Sequence, residues 1–345
     1  MPEQKNIKVA IHHRERSFSE NWASYCKENN IDFVMVNCHD TDILLQLEQQ
    51  KITHLLWHVH HSVNADMLSF HNVLNSADNM GIKTFPNFAS RWHFDDKVAQ
   101  KFALESIKAP IVDTYVFFEE KDAEKFIENY TLPIVAKLKR GAGSSNVQLL
   151  YSKEEANNFI SKMFTTGVSP IPKTFNDMNQ KMRMVKSIKS PLHLLKRVKH
   201  YLIRRKKLSN FSAVEKGYVY FQKFLKQNDF DTRIVVIGKK AFGIIRLNRD
   251  NDFRASGSGK IEYDIAKIDV NMVKISFDVC KNLGTQSLAF DFIYDENRQP
   301  KIIEISYAYS TRAYDKCEGY WTEDLQFLKK TVNAENFMIE DLIGG

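Results

Sequence analysis

Residues 287–306 run Ser287-Leu288-Ala289-Phe290-Asp291-Phe292-Ile293-Tyr294, then Asp295-Glu296-Asn297-Arg298-Gln299, then Pro300-Lys301-Ile302-Ile303-Glu304-Ile305-Ser306. Two apolar, strand-like runs flank a polar turn, and each holds one carboxylate in its middle. A four-residue loop at Glu296–Gln299 sets Asp291 directly opposite Glu304. Two carboxylates facing each other within apolar strands are costly unless they are protonated, matched by buried Arg or Lys, or bridged by a cation. Oxygen ligands suit Mg2+, which takes one or two carboxylates and shares phosphate oxygens with its substrate. The competing, purely structural reading requires two buried basic partners.

Upstream lies a second hairpin, with Asp231 and Arg233 on one arm and Arg246 on the other. A two-residue turn at Lys239-Lys240 places Arg233 opposite Arg246. Like charges so placed cost a few tenths to about 1 kcal/mol, and a bound polyphosphate removes that cost. The bland alternative is that both side chains splay into water. Lys137 and Lys139 share a strand face and lead into Arg140-Gly141-Ala142-Gly143-Ser144-Ser145-Asn146. Small residues there let backbone N–H groups converge on an anion; a solvated hairpin is the alternative. A third segment, Phe253-Arg254-Ala255-Ser256-Gly257-Ser258-Gly259-Lys260, again joins cations to glycines. It reads either as a cover over transferred phosphate or as a plain connector.

The whole chain has 345 residues, 43% hydrophobic and 26% charged, which suits two or three globular domains. Residues 1–88 alternate short apolar strands with helices, the pattern of a small, parallel, doubly wound sheet. Ligands of such sheets bind beyond the carboxyl ends of the strands. His12, Arg14 and Ser17 follow the first strand, and His58 and His60 lie at or after the third, so these five are candidate substrate contacts. No G-x-G-x-x-G follows the first strand. The histidines have no carboxylate or cysteine beside them in the sequence, so a metal role is not assigned. The remainder reads as an α+β body of antiparallel strands and a few helices.

Cys26, Cys38, Cys280 and Cys317 are widely spaced, as reduced thiols would be. The polar Met1–Asn6 has no signal-like apolar run, and no run is long enough to span a bilayer, so the expected compartment is the cytoplasm. Between Lys173 and Lys216 thirteen Lys/Arg meet two acids, a local net of +11 against +7 for the chain. Residues 190–207 read as a basic amphipathic helix. It reads as a solvated helix packed on its own domain, a peripheral contact with the anionic inner face of a membrane, or a binding element for an anionic or nucleotide-linked substrate. It has few aromatics to stack bases, which argues against nucleic acid.

In order, these pieces resemble the ATP-grasp superfamily. Asp95-Asp96-Lys97 is similar to the motif with the first phosphate lysine, and Pro133–Lys137 to the strand with the second. Tyr220-Phe221-Gln222-Lys223-Phe224-Leu225 resembles the hinge that holds adenine, with Gln222 where the family usually has an acid. Asp231-Thr232-Arg233 resembles its D-x-R strand, and Phe253-Arg254 its arginine region. Asp291 and Glu304 fall at its magnesium carboxylates, and Ser306 stands where the family usually has Asn. The chain also resembles uncharacterised ATP-grasp proteins encoded with capsule or exopolysaccharide genes, through His12-His13-Arg14, Trp92–Lys97 and Arg254–Gly259.

The resemblance implies a pre-ATP-grasp α/β domain at 1–88, an ATP-grasp domain at 89–330 with a basic insertion at about 166–216, and a tail at 331–345. It implies ATP and Mg2+ as cofactors. Lys97, Lys137, Lys139, Gly141, Gly143, Ser144, Ser145, Gln222, Lys223, Phe224, Leu225 and Asp231 would bind nucleotide. Arg233, Arg246 and Arg254 would be catalytic. Asp291, Glu304 and Ser306 would hold metal, and Ser256 and Gly257 would join the substrate contacts. The implied reaction is ADP-forming C–N ligation of a carboxylate, such as a uronic acid, to an amine through an acyl phosphate. A kinase on the same scaffold, or a nucleotide-binding or membrane-docking module without catalysis, are the rivals.

Overall fold

The computed structural model describes residues 7–15, 17–61, 63–140, 146–169, 214–249, 252–255 and 258–344. Gly141, Gly143, Ser144, Ser145, Ser256, Gly257 and the basic stretch 190–207 lie outside the described residues.

The chain forms two compact units: Met1–Phe94, Ala99–Ile111 and Gln227–Gly345 in one, Asp95–Val98 and Val112–Lys226 in the other. The first begins with β1 (Lys8–His12), α1 (Ser19–Glu28), β2 (Asp32–Val36), α2 (Ile43–Gln49), β3 (His54–Leu56), α3 (Asn64–Asn79) and β4 (Lys83–Phe85). All four strands run parallel, in the order β2-β1-β3-β4. Val9, Ala10, Ile11, Leu55 and Leu56 are completely buried. A parallel sheet covered on both faces requires such continuous apolar strands.

Helices α4 (Phe88–Arg91) and α5 (Lys97–Ser106) follow. The second unit is built on β5 (Thr114–Phe117), β6 (Ile134–Lys137), β7 (Val147–Leu150) and β8 (Val219–Lys223), antiparallel in the order β5-β8-β6-β7. Helices α6 (Glu120–Asn129) and α7 (Lys153–Phe164) contribute Ala123, Ile127, Ala156 and Ile160 to its core. Ser152 caps α7 by accepting from Glu155 N–H, with acids in the first turn, as the helix dipole favours.

The larger sheet of the first unit holds β9 (Phe230–Ile237), β10 (Lys240–Leu247), β11 (Ile261–Glu262), β12 (Ser287–Tyr294), β13 (Pro300–Ser306), β14 (Tyr320–Thr322) and β15 (Phe327–Leu328). Its order is β13-β12-β9-β10-β14-β15, with β11 also on β10. Strand alternation sends Ile234, Val236, Phe290 and Phe292 towards α8 (Val270–Leu283). It sends Val235, Ile237, Phe242 and Ile244 into the core holding Phe337, Met338 and Leu342 of α9 (Ala334–Gly344). Residues read as a tail are thus a buried helix of this core. The N-terminal sheet belongs to the same compact unit as the large sheet, and Asn87 and Gln286 bond across them.

Two registers differ from expectation. The β9–β10 turn is Gly238-Lys239, one residue earlier than expected, because Gly238 adopts φ +51, which glycine tolerates. Arg246 therefore pairs with Asp231, and Arg233 with Ile244; the expected Arg233–Arg246 pairing does not form. At β12–β13 the loop is one residue longer than expected, Asp295–Gln299, with Tyr294 opposite Pro300. A bulge that leaves Ile303 unpaired restores Asp291 opposite Glu304.

Candidate functional site

Strands β9, β10, β12 and β13 bring acids and arginines onto one face of the large sheet. Arg233 donates from Nε to Asp291 Oδ1 (2.5 Å) and from NH2 to Oδ2 (2.7 Å). Arg246 makes the same fork on Asp231 (2.6 and 2.5 Å) and also reaches Asp291 Oδ2 at 2.8 Å. Asp231, Arg246 and Asp291 are all under a tenth exposed. Burial alone would raise the Asp291 pKa; Arg233 and then Arg246 outweigh it and hold the carboxyl below the usual range. The two basic partners that a structural reading demanded are therefore present, and they are the predicted catalytic arginines. Glu304 sits opposite Asp291 and Ser306 two residues on, on the same side. Three carboxylates face two guanidiniums, so the face keeps a net negative charge and an oxygen-rich donor set of the kind a hard cation takes. Arg254 pairs with Asp252 instead, at 2.8 and 2.6 Å.

The second unit gathers the predicted lysines. Lys137 Nζ donates to Gln222 Oε1 at 2.6 Å, and Gln222 Nε2 donates to Thr114 Oγ1 at 3.1 Å. Val135 pairs with Gln222 and Lys137 with Tyr220, which puts the lysine one step along the same face. Lys97 is buried, and its N–H donates to Lys139 O. Lys139 Nζ lies 3.5 Å from Asp96. Lys223 closes β8, donating to Asp113 O, with Phe224 half-buried and Leu225 buried after it. Glu215, which sequence reading counted only as an acid in the basic stretch, is buried. It accepts from Lys139 N–H (2.9 Å), Arg140 N–H (3.1 Å) and the Tyr218 hydroxyl. It thereby anchors the entry to the Gly-rich turn.

At the carboxyl edge of the N-terminal sheet all five expected residues assemble. Arg14 NH1 donates to His58 O (3.2 Å) and Asp66 Oδ2 (3.3 Å). Phe18 N–H donates to His58 Nδ1, and the two rings stack at 3.5 Å. Ser17 and Ser19 hydroxyls bond at 3.0 Å. His12 accepts from Cys38 N–H at 3.0 Å, and His60 N–H donates to Asp66 Oδ2 at 2.8 Å. Burial, then Arg14 and His60, push His58 well below the usual imidazole range. Asp66 brings to this edge a carboxylate that the sequence pattern did not single out. It is completely buried in the first turn of α3, and it also bonds His39 Nε2 at 3.0 Å. The side-chain partners of Asp66, Arg14 and His39, lie 52 and 27 residues away, beyond the reach of local pattern.

No protein-family model and no curated protein sequence matches the chain. Solved structures match it along nearly its whole length. A RimK domain protein ATP-grasp from Sphaerobacter thermophilus is 14% identical, with TM-score 0.55 over 98% of this chain and 100% of that one. The chain has the ATP-grasp fold. D-cycloserine synthetase DcsG shares it at 12% identity and TM-score 0.56, over 98% and 99% of the two chains. So does D-alanine–D-alanine ligase from Bacillus anthracis, solved with ATP, at 12% and 0.51, over 88% and 86%. Within the ATP-grasp fold the Asp291–Glu304 hairpin and the Lys137–Gln222 pair belong to different compact units.

Proposed function

We propose that this chain is a Mg-ATP-dependent ligase that activates a carboxylate as an acyl phosphate and joins it to an amine. One observation carries this reading. Asp291 and Glu304 face each other on neighbouring strands, with Arg233 and Arg246 on the same face, in a chain of ATP-grasp fold. Carboxylates there would hold Mg2+, and the arginines would bind phosphate oxygens as they are freed from Asp291. Lys97, Lys137 and Lys139 would neutralise the nucleotide's phosphates, with Gln222–Leu225 against the base. Such a site works by positioning and charge and requires no side-chain nucleophile. Neighbours of this fold include a ligase solved with ATP and a synthetase. The carboxylate we propose is a sugar acid, in keeping with the resemblance to capsule-associated proteins. Among the described residues no helix is long and apolar enough to cross a membrane.

The test is hydroxylamine trapping. Purified protein, Mg-ATP, hydroxylamine and pools of sugar acids and amino acids should yield a hydroxamate that the Glu304→Gln variant does not make. ADP with a stable phosphate ester instead would assign a kinase. Nucleotide binding without ADP formation in any pool would refute catalysis by this site.

A further inference from the structure

His12, His39 and Asp66 each place a ligand atom within 4.8 Å of the others, which suggests a cation site. The hydrogen bonds point elsewhere. His12 Nδ1 accepts from the Cys38 backbone N–H at 3.0 Å, so in the neutral ring Nε2 carries the hydrogen and has no lone pair for a metal. Neutral is the state burial imposes, since the His12 pKa is pushed down to about 3 by burial, then by His39 and Arg14.

His39 is arranged the opposite way. Its Nε2 lies 3.0 Å from Asp66 Oδ1. Asp66 Oδ2 is occupied by His60 N–H at 2.8 Å and Arg14 NH1 at 3.3 Å. The carboxylate is thus clamped from three elements and completely buried, whereas the His39 side chain is 27% exposed. An acceptor on Nε2 fixes the hydrogen there and leaves the lone pair on Nδ1, the orientation of a histidine general base held by a buried carboxylate. His12 and Trp57 wall the ring, at centroid distances of 5.0 and 5.5 Å. The charged or titratable groups around His39 include Asp66 from α3, His12 from β1, Arg14 through Asp66, and its chain neighbours Cys38 and Asp40. Tyr307, one residue beyond Ser306 on the metal-side strand, is buried and close enough to interact electrostatically with both Arg14 and Asp66.

We infer that His39, oriented by Asp66, is the general base that takes the proton from the attacking amine. This rests on the ligase reading above. The amine nitrogen bonds to the acyl carbon, the carbon–oxygen bond to phosphate breaks, and phosphate leaves with the electron pair. The amine's proton passes to His39 Nδ1 and then to solvent. Asp66 is a positioning residue.

The experiment compares two nucleophiles in wild type and His39→Gln with Mg-ATP and the sugar-acid pool. Hydroxylamine is a free base at neutral pH and needs no help. Ammonium is largely protonated and does. Amide formation from ammonium should fall at least ~100-fold in His39→Gln, far more than hydroxamate formation, and recover as pH rises. Asp66→Asn, which removes the acceptor that orients the ring, should lower the ammonium-to-hydroxylamine product ratio in the same direction as His39→Gln. Equal loss of both products, or loss of neither, overturns the assignment. Absence of hydroxamate in wild type overturns the ligase reading, and this inference with it.

Discussion

Arg233 grips Asp291 through two parallel hydrogen bonds, Nε to Oδ1 and NH2 to Oδ2, while Arg246 reaches the same carboxylate from the next strand. The carboxylate that would hold a cation is thus held by cations of the protein. Removing it takes the fork from Arg233 and leaves Arg246 with Asp231.

Asp291→Asn should therefore cost stability as well as activity. Breaking a buried pair of this kind typically costs about 3–5 kcal/mol. Glu304 is only half-buried. We expect Glu304→Gln to change stability by less than about 1 kcal/mol and to lower ADP formation at least ~100-fold. Urea denaturation and coupled ADP assays on both variants check this. Equal stability of Asp291→Asn and wild type would show that the network does not hold the sheet.

Lys137 is buried with its ammonium on Gln222. Lys137→Met should weaken ATP binding by the worth of a charge-assisted hydrogen bond, about 1.5–3 kcal/mol, or roughly 10- to 150-fold in Kd. Calorimetric titration with ATP measures it. Unchanged affinity would remove Lys137 from the nucleotide site.

Glu215 binds the backbone N–H groups of both Lys139 and Arg140. Glu215→Ala takes the acceptor from the buried Tyr218 hydroxyl and from these two part-buried N–H groups, at about 1–3 kcal/mol. The melting midpoint should fall and KM for ATP rise, with kcat less affected. A KM equal to wild type would confine Glu215 to a purely structural role.

Neutral buried histidine makes the first unit acid-sensitive. The His12 pKa is lowered to about 3, by burial first and then by His39 and Arg14, from an unfolded value of about 6.5. A lowered folded pKa means stability that is complete above the unfolded value and is lost as pH falls toward the folded one. His12 alone should cost about 2 kcal/mol by about pH 5. His58, lowered by burial and Arg14, should add to this. Urea midpoints should drop between pH ~7 and ~5, and His12→Asn, which cannot titrate, should flatten the trend.

Local pattern was enough to read the strand–helix alternation of residues 1–88, because apolar runs and helical spacing depend only on residues a few positions apart. It was enough to place Asp291 against Glu304, although the bulge at Ile303, not loop length, produces that pairing. It failed at Arg233 and Arg246, where a one-residue difference in the turn changes every cross-strand partner.

The alternation that builds the parallel sheet, the two carboxylate strands and the lysine strand follow from neighbours a few residues apart. That Arg233 and Arg246 neutralise Asp291, that Glu215 anchors Lys139 and Arg140, and that Asp66 collects Arg14, His39 and His60 follow from the folded chain. A buried charge takes whatever partner the fold delivers, and here, His60 apart, the partners come from segments 27 to 76 residues away. The cost of leaving such a charge unpaired, rather than any motif, selects them.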